Sequence, residues 1–380
     1  MSRNISSYCT VLLVVLVSTV IAWLPFMLKA HSWYGIDFFV GSASSNASFL
    51  MVYQNYDGPL YIIPAKTLYN KELFEKLPIE QGLSWEYFAA HLPLYPVVIS
   101  AFAYIMGYLK SMLFTSIFYS VLLGLFFYAL IDKLRLTEKP LLLTTVFLFL
   151  PRFLVVRSVG APETMFLFFI LSSIYYFEQK NYLIAGFLGG LAAMTKSPGI
   201  LLAGGYGLAI IEEWIRTKRF NWRWFFLALI PLGLVAVFKL YAIQYGDFFA
   251  YFKSGDNIHL VKPFAVFNAG ATWVGSWWLE DVIFYFFLYG LALYSLKDHW
   301  NRSFFYVPLV FFVSTLFVEH RDIARYSLPM WPFAVIAFQQ FFTSKRFAVI
   351  AAILLPAIYL YAWNFMLHNT LPISDWSAFL

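Results

Sequence analysis

Residues 112–131 read MLFTSIFYSVLLGLFFYALI, a run with no charged side chain. A helix rising ~1.5 Å per residue needs roughly 20 apolar residues to cross the bilayer hydrocarbon, so this segment predicts one complete crossing. Lys133, Arg135 and Lys139 follow it in one short loop. Short loops rich in Lys and Arg stay on the cytoplasmic side, which gives the crossing a direction.

Working outward, comparable runs occupy 8–30, 140–158, 162–178, 181–196, 198–214, 223–244, 277–296, 303–318, 328–343 and 347–366. Three further basic loops, Arg216/Lys218/Arg219/Arg223, Lys297/Arg302 and Lys345/Arg346, join the first on the cytoplasmic side. With Arg3 also inside, a single net crossing is needed between His91 and Lys133. Segment 92–109 is apolar but opens Leu92-Pro93-Leu94-Tyr95-Pro96, which suits a helix start or a membrane-dipping segment. It is read as interfacial. The expectation is an all-α, polytopic integral membrane protein of about eleven spans, one domain over 1–380, N-terminus inside and C-terminus outside. The run at 8–28 is read as an uncleaved first span. A signal peptide fits less well, because Leu28 stands two places before Ala30 where a small residue is wanted.

Composition agrees. Hydrophobic residues make up 61% of the chain and charged ones 12%, against roughly a quarter charged in soluble domains. The net charge of +6 lies in short loops, which suits orientation and lipid phosphates; no nucleic-acid partner is expected. The single cysteine, Cys9, excludes an intramolecular disulfide, and no Cys/His spacing suggests zinc. No repeat or linker marks a second domain.

This orientation sends outward the large loop 31–91, the turn near 157–163, the turn at Lys196, the loop 245–276 and the turn 319–327. Within the first loop, segments 47–56 and 66–77 can each form a short amphipathic helix lying on the membrane. The same loop holds Asp37, and Tyr56-Asp57-Gly58-Pro59-Leu60-Tyr61 leading to Lys66. A carboxylate in an apolar setting at the membrane surface can serve as a general base; the plainer reading of Asp57 is the cap of a short helix. His91 precedes the proline-marked segment and can meet a substrate hydroxyl or simply face water. Arg157 and Glu163 flank a turn between spans, where they can pair with each other or hold a phosphate and a sugar hydroxyl; ionisable groups at membrane depth are functional candidates, and Arg152 shares that status. Lys196 stands at a Ser197-Pro198-Gly199 turn whose open N–H groups suit an anion, or it is a snorkelling lysine. In Glu319-His320-Arg321-Asp322-Ile323-Ala324-Arg325-Tyr326, a helix would put Arg321 and Arg325 on one face, able to clamp a phosphate. The alternative is a local salt-bridge cluster. A carboxylate, a histidine and several cations thus fall on one side, as a site for an anionic, lipid-linked substrate requires.

The order of these features resembles the C-type glycosyltransferase superfamily, and within it the branch containing the second mannosyltransferase of GPI-anchor assembly and its bacterial relatives. The likeness runs through Tyr56 to Ala65, Leu92-Pro93-Leu94-Tyr95-Pro96, Gly160-Ala161-Pro162-Glu163-Thr164, Thr195-Lys196-Ser197-Pro198-Gly199 and Ala324-Arg325-Tyr326-Ser327-Leu328-Pro329. It departs where Tyr56 replaces a tryptophan, Leu92 an aromatic residue and Lys196 an arginine. The resemblance implies a polyprenyl-phosphate sugar donor, an acceptor hydroxyl on a glycan or lipid, and inverting transfer. Asp57 would be the base, with Asp37 its rival. Lys196, Arg321 and Arg325 would neutralise the leaving phosphate, and Glu163 and His91 would orient. Tyr61, Lys66, Arg157 and Tyr326 complete the expected substrate-binding set. Some members of the superfamily use a divalent metal and others do not, and Asp37 and Asp57 leave that open. A bacterial inner membrane is expected rather than the endoplasmic reticulum, with mannose one candidate sugar. The rival readings are a transporter or flippase of a lipid-linked sugar, which would favour paired repeats and midplane polar groups, and a ligase or polymerase of lipid A or wall polymers.

Overall fold

The computed structural model describes residues 2–30, 32–33, 36–39, 47–55, 57–79, 82–254, 262–268, 270 and 276–380. Its regular structure is helical apart from a short antiparallel pair, β1 (Ser32–Trp33) with β2 (Ile36–Asp37).

The long first helix, α1 (Ser2–Leu28), is followed by three short ones: α2 (Leu50–Tyr53), α3 (Gly58–Thr67) and α4 (Lys71–Phe74). α2 and α4 fall within the two segments expected to form short helices, 47–56 and 66–77, and α4 has no buried residue. Nine of the ten α3 residues are buried, because its sequence is apolar all round and has no polar face to turn to water. Leu68, at φ 46°, then ends the helix in a left-handed cap. α5 (Leu94–Met106) and α6 (Tyr108–Lys133) meet at Gly107, whose φ of 77° and ψ of 163° are essentially closed to residues bearing a Cβ. That corner separates 92–109 from the crossing at 112–131.

The run 140–158 is not one rod. It breaks into α7 (Pro140–Leu148) and α8 (Pro151–Val156), because Leu150, before a proline, takes the extended ψ of 130°. α9 (Glu163–Glu178), α10 (Tyr182–Thr195), α11 (Leu201–Thr217) and α12 (Leu229–Gln244) follow the expected runs, the last two preceded by 3-10 turns. After α13 (Ala250–Lys253) come α14 (Ser276–Leu296), α15 (Ser303–Thr315) and the short α16 (Ile323–Tyr326). The run 328–343 is divided into a 3-10 turn, α17 (Trp331–Ala337) and α18 (Gln339–Phe342), and α19 (Lys345–His368) closes the helical series.

Among the described residues, five stretches are long and apolar enough to cross a membrane: Ile5–Leu28, Tyr108–Lys133, Trp222–Gln244, Trp278–Leu296 and Lys345–His368. Their outer faces are unpartnered within the chain. On α19, Val349 is 62% exposed and Ile353 71%, a surface that suits lipid and not water. Inside these helices the hydroxyls turn back on their own backbone, as at Thr19 to Val15 O (2.8 Å), Thr115 to Ser111 O (2.7 Å) and Ser120 to Ser116 O (2.7 Å). Such bonds satisfy polar groups where no water is present. The chain is a helical membrane protein.

One close contact positions the site. A Cβ added at Gly58 would lie 2.6 Å from Gly160 O, and one at Gly160 would lie 2.5 Å from Met112 Sδ. The start of α3, the turn before α9 and α6 therefore meet with no room for a side chain. The segment after α19 returns to the same region. Leu371 N donates to Gln54 O at 2.8 Å, and Lys66 Nζ to Ala378 O at 3.0 Å.

Candidate functional site

Asp57 occupies the N-cap position of α3 but makes no side-chain capping bond. Its carboxylate instead receives Arg325 Nη1 at 3.1 Å. Arg325 Nε donates to Glu163 Oε1 at 2.6 Å, and Lys196 Nζ reaches the same oxygen at 2.6 Å. Four turns, well separated in sequence, thus supply two carboxylates and two cations to one cluster. Side-chain exposure grades it: 3% for Glu163, 13% for Arg325, 22% for Lys196 and 45% for Asp57. Glu163 is the floor, and Asp57 is the carboxylate that a ligand can reach.

The cluster opens into a cleft lined by Asp57, Tyr61, His91, Lys196, Arg325 and Tyr326. Tyr87, Ser197 and Tyr251 also line it. The Tyr61 ring packs edge-on against His91 (4.7 Å) and Tyr95 (5.1 Å). Tyr69 Oη donates to His91 O at 2.5 Å, which holds the backbone beside the ring. Ser197 and Tyr251 share a hydroxyl–hydroxyl bond of 2.7 Å that ties α13 to the Lys196 turn.

The Arg325 turn is fixed from behind. Asp322 caps α16 by accepting Arg325 N at 3.2 Å on one oxygen, and its other oxygen pairs with Arg152 of α8. The Arg152 guanidinium lies 3.8 Å from the Phe365 ring centre and donates to Tyr361 Oη at 3.2 Å. His320 Nδ1 accepts Asp322 N at 2.9 Å, and its ring stacks beside Tyr326.

The charges act on one another. Burial pushes the Asp57 carboxyl up, but Arg325 and His91 together outweigh it and hold the group below its usual value. Burial pushes the Lys196 ammonium down, Glu163 offsets only part of this, and the group stays below its usual value. Asp57 therefore remains ionised near neutral pH.

Asp57, Tyr61, His91, Glu163, Lys196, Arg325 and Tyr326 therefore come together. Four expected residues do not. Asp37 sits exposed on β2, outside the cleft wall. Lys66 turns away to Ala378 O and lies 5.2 Å from the Tyr108 ring centre. Arg157 is fully buried and points into α1, where Ser18 and Thr19 meet it at 2.7 and 3.1 Å. Arg321 is exposed and shares no face with Arg325, because the Asp322 cap starts α16 only at Ile323. The cluster expected around Asp322 forms instead with Arg152. Tyr56 lies outside the described residues. Sequence reasoning missed Tyr87 and Tyr251; the usable signal for Tyr251 is a lone hydroxyl in the aromatic run Phe248-Phe249-Ala250-Tyr251-Phe252.

Among the described residues, no group of three or more His, Cys, Asp or Glu side chains converges to hold a metal ion. The two carboxylates of the cluster are bridged by the Arg325 guanidinium, and Glu163 also takes the Lys196 ammonium, a set of partners that does not fit a dication. No family model matches the sequence, and no curated protein matches it.

Proposed function

We propose that this cleft transfers a sugar from a polyprenyl-phosphate donor to an acceptor hydroxyl, with inversion at the anomeric carbon. One observation carries the reading: a reachable carboxylate, Asp57, stands within 3.1 Å of Arg325, which with Lys196 surrounds buried Glu163. A base and two cations side by side are what such a displacement needs. The acceptor oxygen forms its bond to the sugar carbon while its proton passes to Asp57. The bond from that carbon to the phosphate oxygen breaks, and the electron pair leaves with the polyprenyl phosphate. Arg325 and Lys196 meet the charge that develops there. Tyr61, His91, Tyr87 and Tyr326 offer rings and polar edges to a sugar. The resemblance to C-type glycosyltransferases points the same way and extends to a fold of that type, with about eleven spans and the cleft on the extracytoplasmic side of a bacterial inner membrane.

The test is transfer from radiolabelled polyprenyl-phosphate sugars to a membrane glycan or lipid extract, using protein in nanodiscs. Asp57→Asn should lower transfer by at least about 10²-fold while eluting as a folded species in size exclusion. Wild-type rates in that variant would remove Asp57 as the base. No transfer by the wild-type protein from any donor would move the leading test to sugar-lipid translocation in liposomes.

A further inference from the structure

The pairing that defines the site also obstructs it. A general base must attract the proton of the incoming hydroxyl, and Arg325 Nη1, 3.1 Å from Asp57 Oδ2, covers that oxygen and lowers the basicity of the carboxylate. The two bonds of Arg325 are not equivalent. Its Nε is held at 2.6 Å by Glu163, whose side chain is 3% exposed, whereas Nη1 reaches Asp57, whose side chain is 45% exposed. The backbone beneath is fixed through Asp322 and Arg152. An anion arriving in the cleft can therefore replace Asp57 on Nη1 while the guanidinium keeps its anchor on Glu163. Phosphate competes well for that position, because a guanidinium presents paired donors that match its oxygens.

We propose that Arg325 masks Asp57 in the free protein, and that the phosphate-bearing substrate binds first and arms the base by drawing Arg325 away from it. This rests on the transferase reading and adds an order of binding to it: phosphate-linked donor, then acceptor hydroxyl. The charged and titratable groups facing Asp57 are Arg325 from α16, His91 at the end of the 3-10 turn Trp85–Ala90, Glu163 from α9, Lys196 from the turn after α10 and Tyr61 from its own helix. Glu163 and Lys196 remain paired through the exchange, so the local change is the loss of one cation from Asp57 and the arrival of an anion beside it. Both changes make Asp57 a stronger base. An acceptor that arrives before the donor therefore meets a carboxylate whose basicity Arg325 suppresses.

Carbodiimide labelling tests this without turnover, since the reagent modifies protonated carboxyls. Protein in phosphatidylcholine nanodiscs is labelled across a pH series, and the Asp57 peptide is quantified by mass spectrometry. The arms are no addition, decaprenyl phosphate and inorganic phosphate, with native mass spectrometry reporting lipid binding in parallel. Decaprenyl phosphate should move the labelling midpoint of Asp57 upward by on the order of one pH unit. Arg325→Gln should carry a raised midpoint before any lipid is added; the wild-type arms stand alone if that variant fails to fold. An equal shift with inorganic phosphate supports the masking and makes the phosphate, not the lipid tail, the trigger. Bound decaprenyl phosphate with an unmoved midpoint overturns the masking and leaves the transferase reading intact. Absence of decaprenyl phosphate binding overturns both.

Discussion

At the scale of single residues, two arginines, one buried and one at the cleft, carry opposite duties. Arg157 is fully buried; its fork is spent on Leu148 O (3.1 Å), Thr19 Oγ1 (3.1 Å) and Ser18 Oγ (2.7 Å). It fastens α8 to α1. Arg325 instead bridges the two carboxylates of the cleft. Lysine cannot reproduce either fork, so the same substitution separates the roles. Arg157→Lys should lower stability by about 2–3 kcal/mol, read as a lower melting temperature, and leave the donor KM of the folded fraction unchanged. Arg325→Lys should melt near the wild type and raise the donor KM. The pH profile follows from the same cluster. The Asp57 carboxyl lies below its usual value, so its charge is present above that point and is lost only as pH falls below the ordinary carboxylate range near ~4. The Lys196 ammonium also lies below its usual value, so its charge is lost, as pH rises, before the ordinary lysine value near ~10.4. The kcat/KM profile should therefore carry its acid limb below the ordinary carboxylate range and its alkaline limb below the ordinary lysine value. In Arg325→Gln the acid limb should move upward, because burial then acts on Asp57 with its main counter-charge gone. An unmoved limb would mean that Arg325 does not govern Asp57. Asp57, Glu163, Lys196 and Arg325 were legible in the sequence because each sits at a turn on one expected side. Arg157 was misread because its neighbourhood to Glu163 in sequence says nothing of where a long side chain points.

At the scale of elements, the site depends on the backbone contact between α3 and the turn before α9. The atom that a Gly58 Cβ would strike is a carbonyl oxygen, 2.6 Å away, and backbone cannot swing aside as a side chain can. Gly58→Ala should therefore cost roughly 1–3 kcal/mol and reduce transfer further than its effect on melting, because the displaced helix carries Asp57. Gly207→Ala is the control. It lies within α11 with open space around its Cβ position, and alanine there should stabilise the helix by up to about 1 kcal/mol without changing transfer. Equal behaviour of the two variants would count against a positioning role for the Gly58 contact. Helix type and order were readable from apolar runs. The breaks at Leu150-Pro151 and within 328–343 were not taken from the prolines present there, since an unbroken apolar run reads as one rod until the local backbone restriction is weighed. The buried helix α3 lay mostly between the two segments, 47–56 and 66–77, read as short helices, and its packing partner, Gly160, is about a hundred residues away in sequence.

At the scale of the whole molecule, the chain closes on itself. Trp363 Nε1 of α19 donates to Ile21 O of α1 at 3.2 Å, and the segment beyond α19 bonds to Gln54 and Lys66, on either side of Asp57 in sequence. The cleft is assembled from turns at 57, 91, 163, 196 and 325, which must share one end of the bundle for the observed bonds to form. In a bilayer those turns must also share one side, since the alternative carries charged groups through hydrocarbon at a cost of several kcal/mol each. The basic loops predict which side it is, and the chain is well suited to a direct test because Cys9 is its single cysteine. In a Cys9→Ser background, single cysteines at the exposed positions Lys76 and Arg321 should react with a membrane-impermeant maleimide applied to sealed cells or right-side-out vesicles. Cysteines at Glu138, Lys218 and Asp298, also exposed, should react only after permeabilisation. Labelling of all five from one side would break the alternation that the long apolar helices require. The reverse pattern would keep the bundle and its cleft but turn the site toward the cytoplasm, and a donor presented on the outer leaflet would then have no access to Arg325.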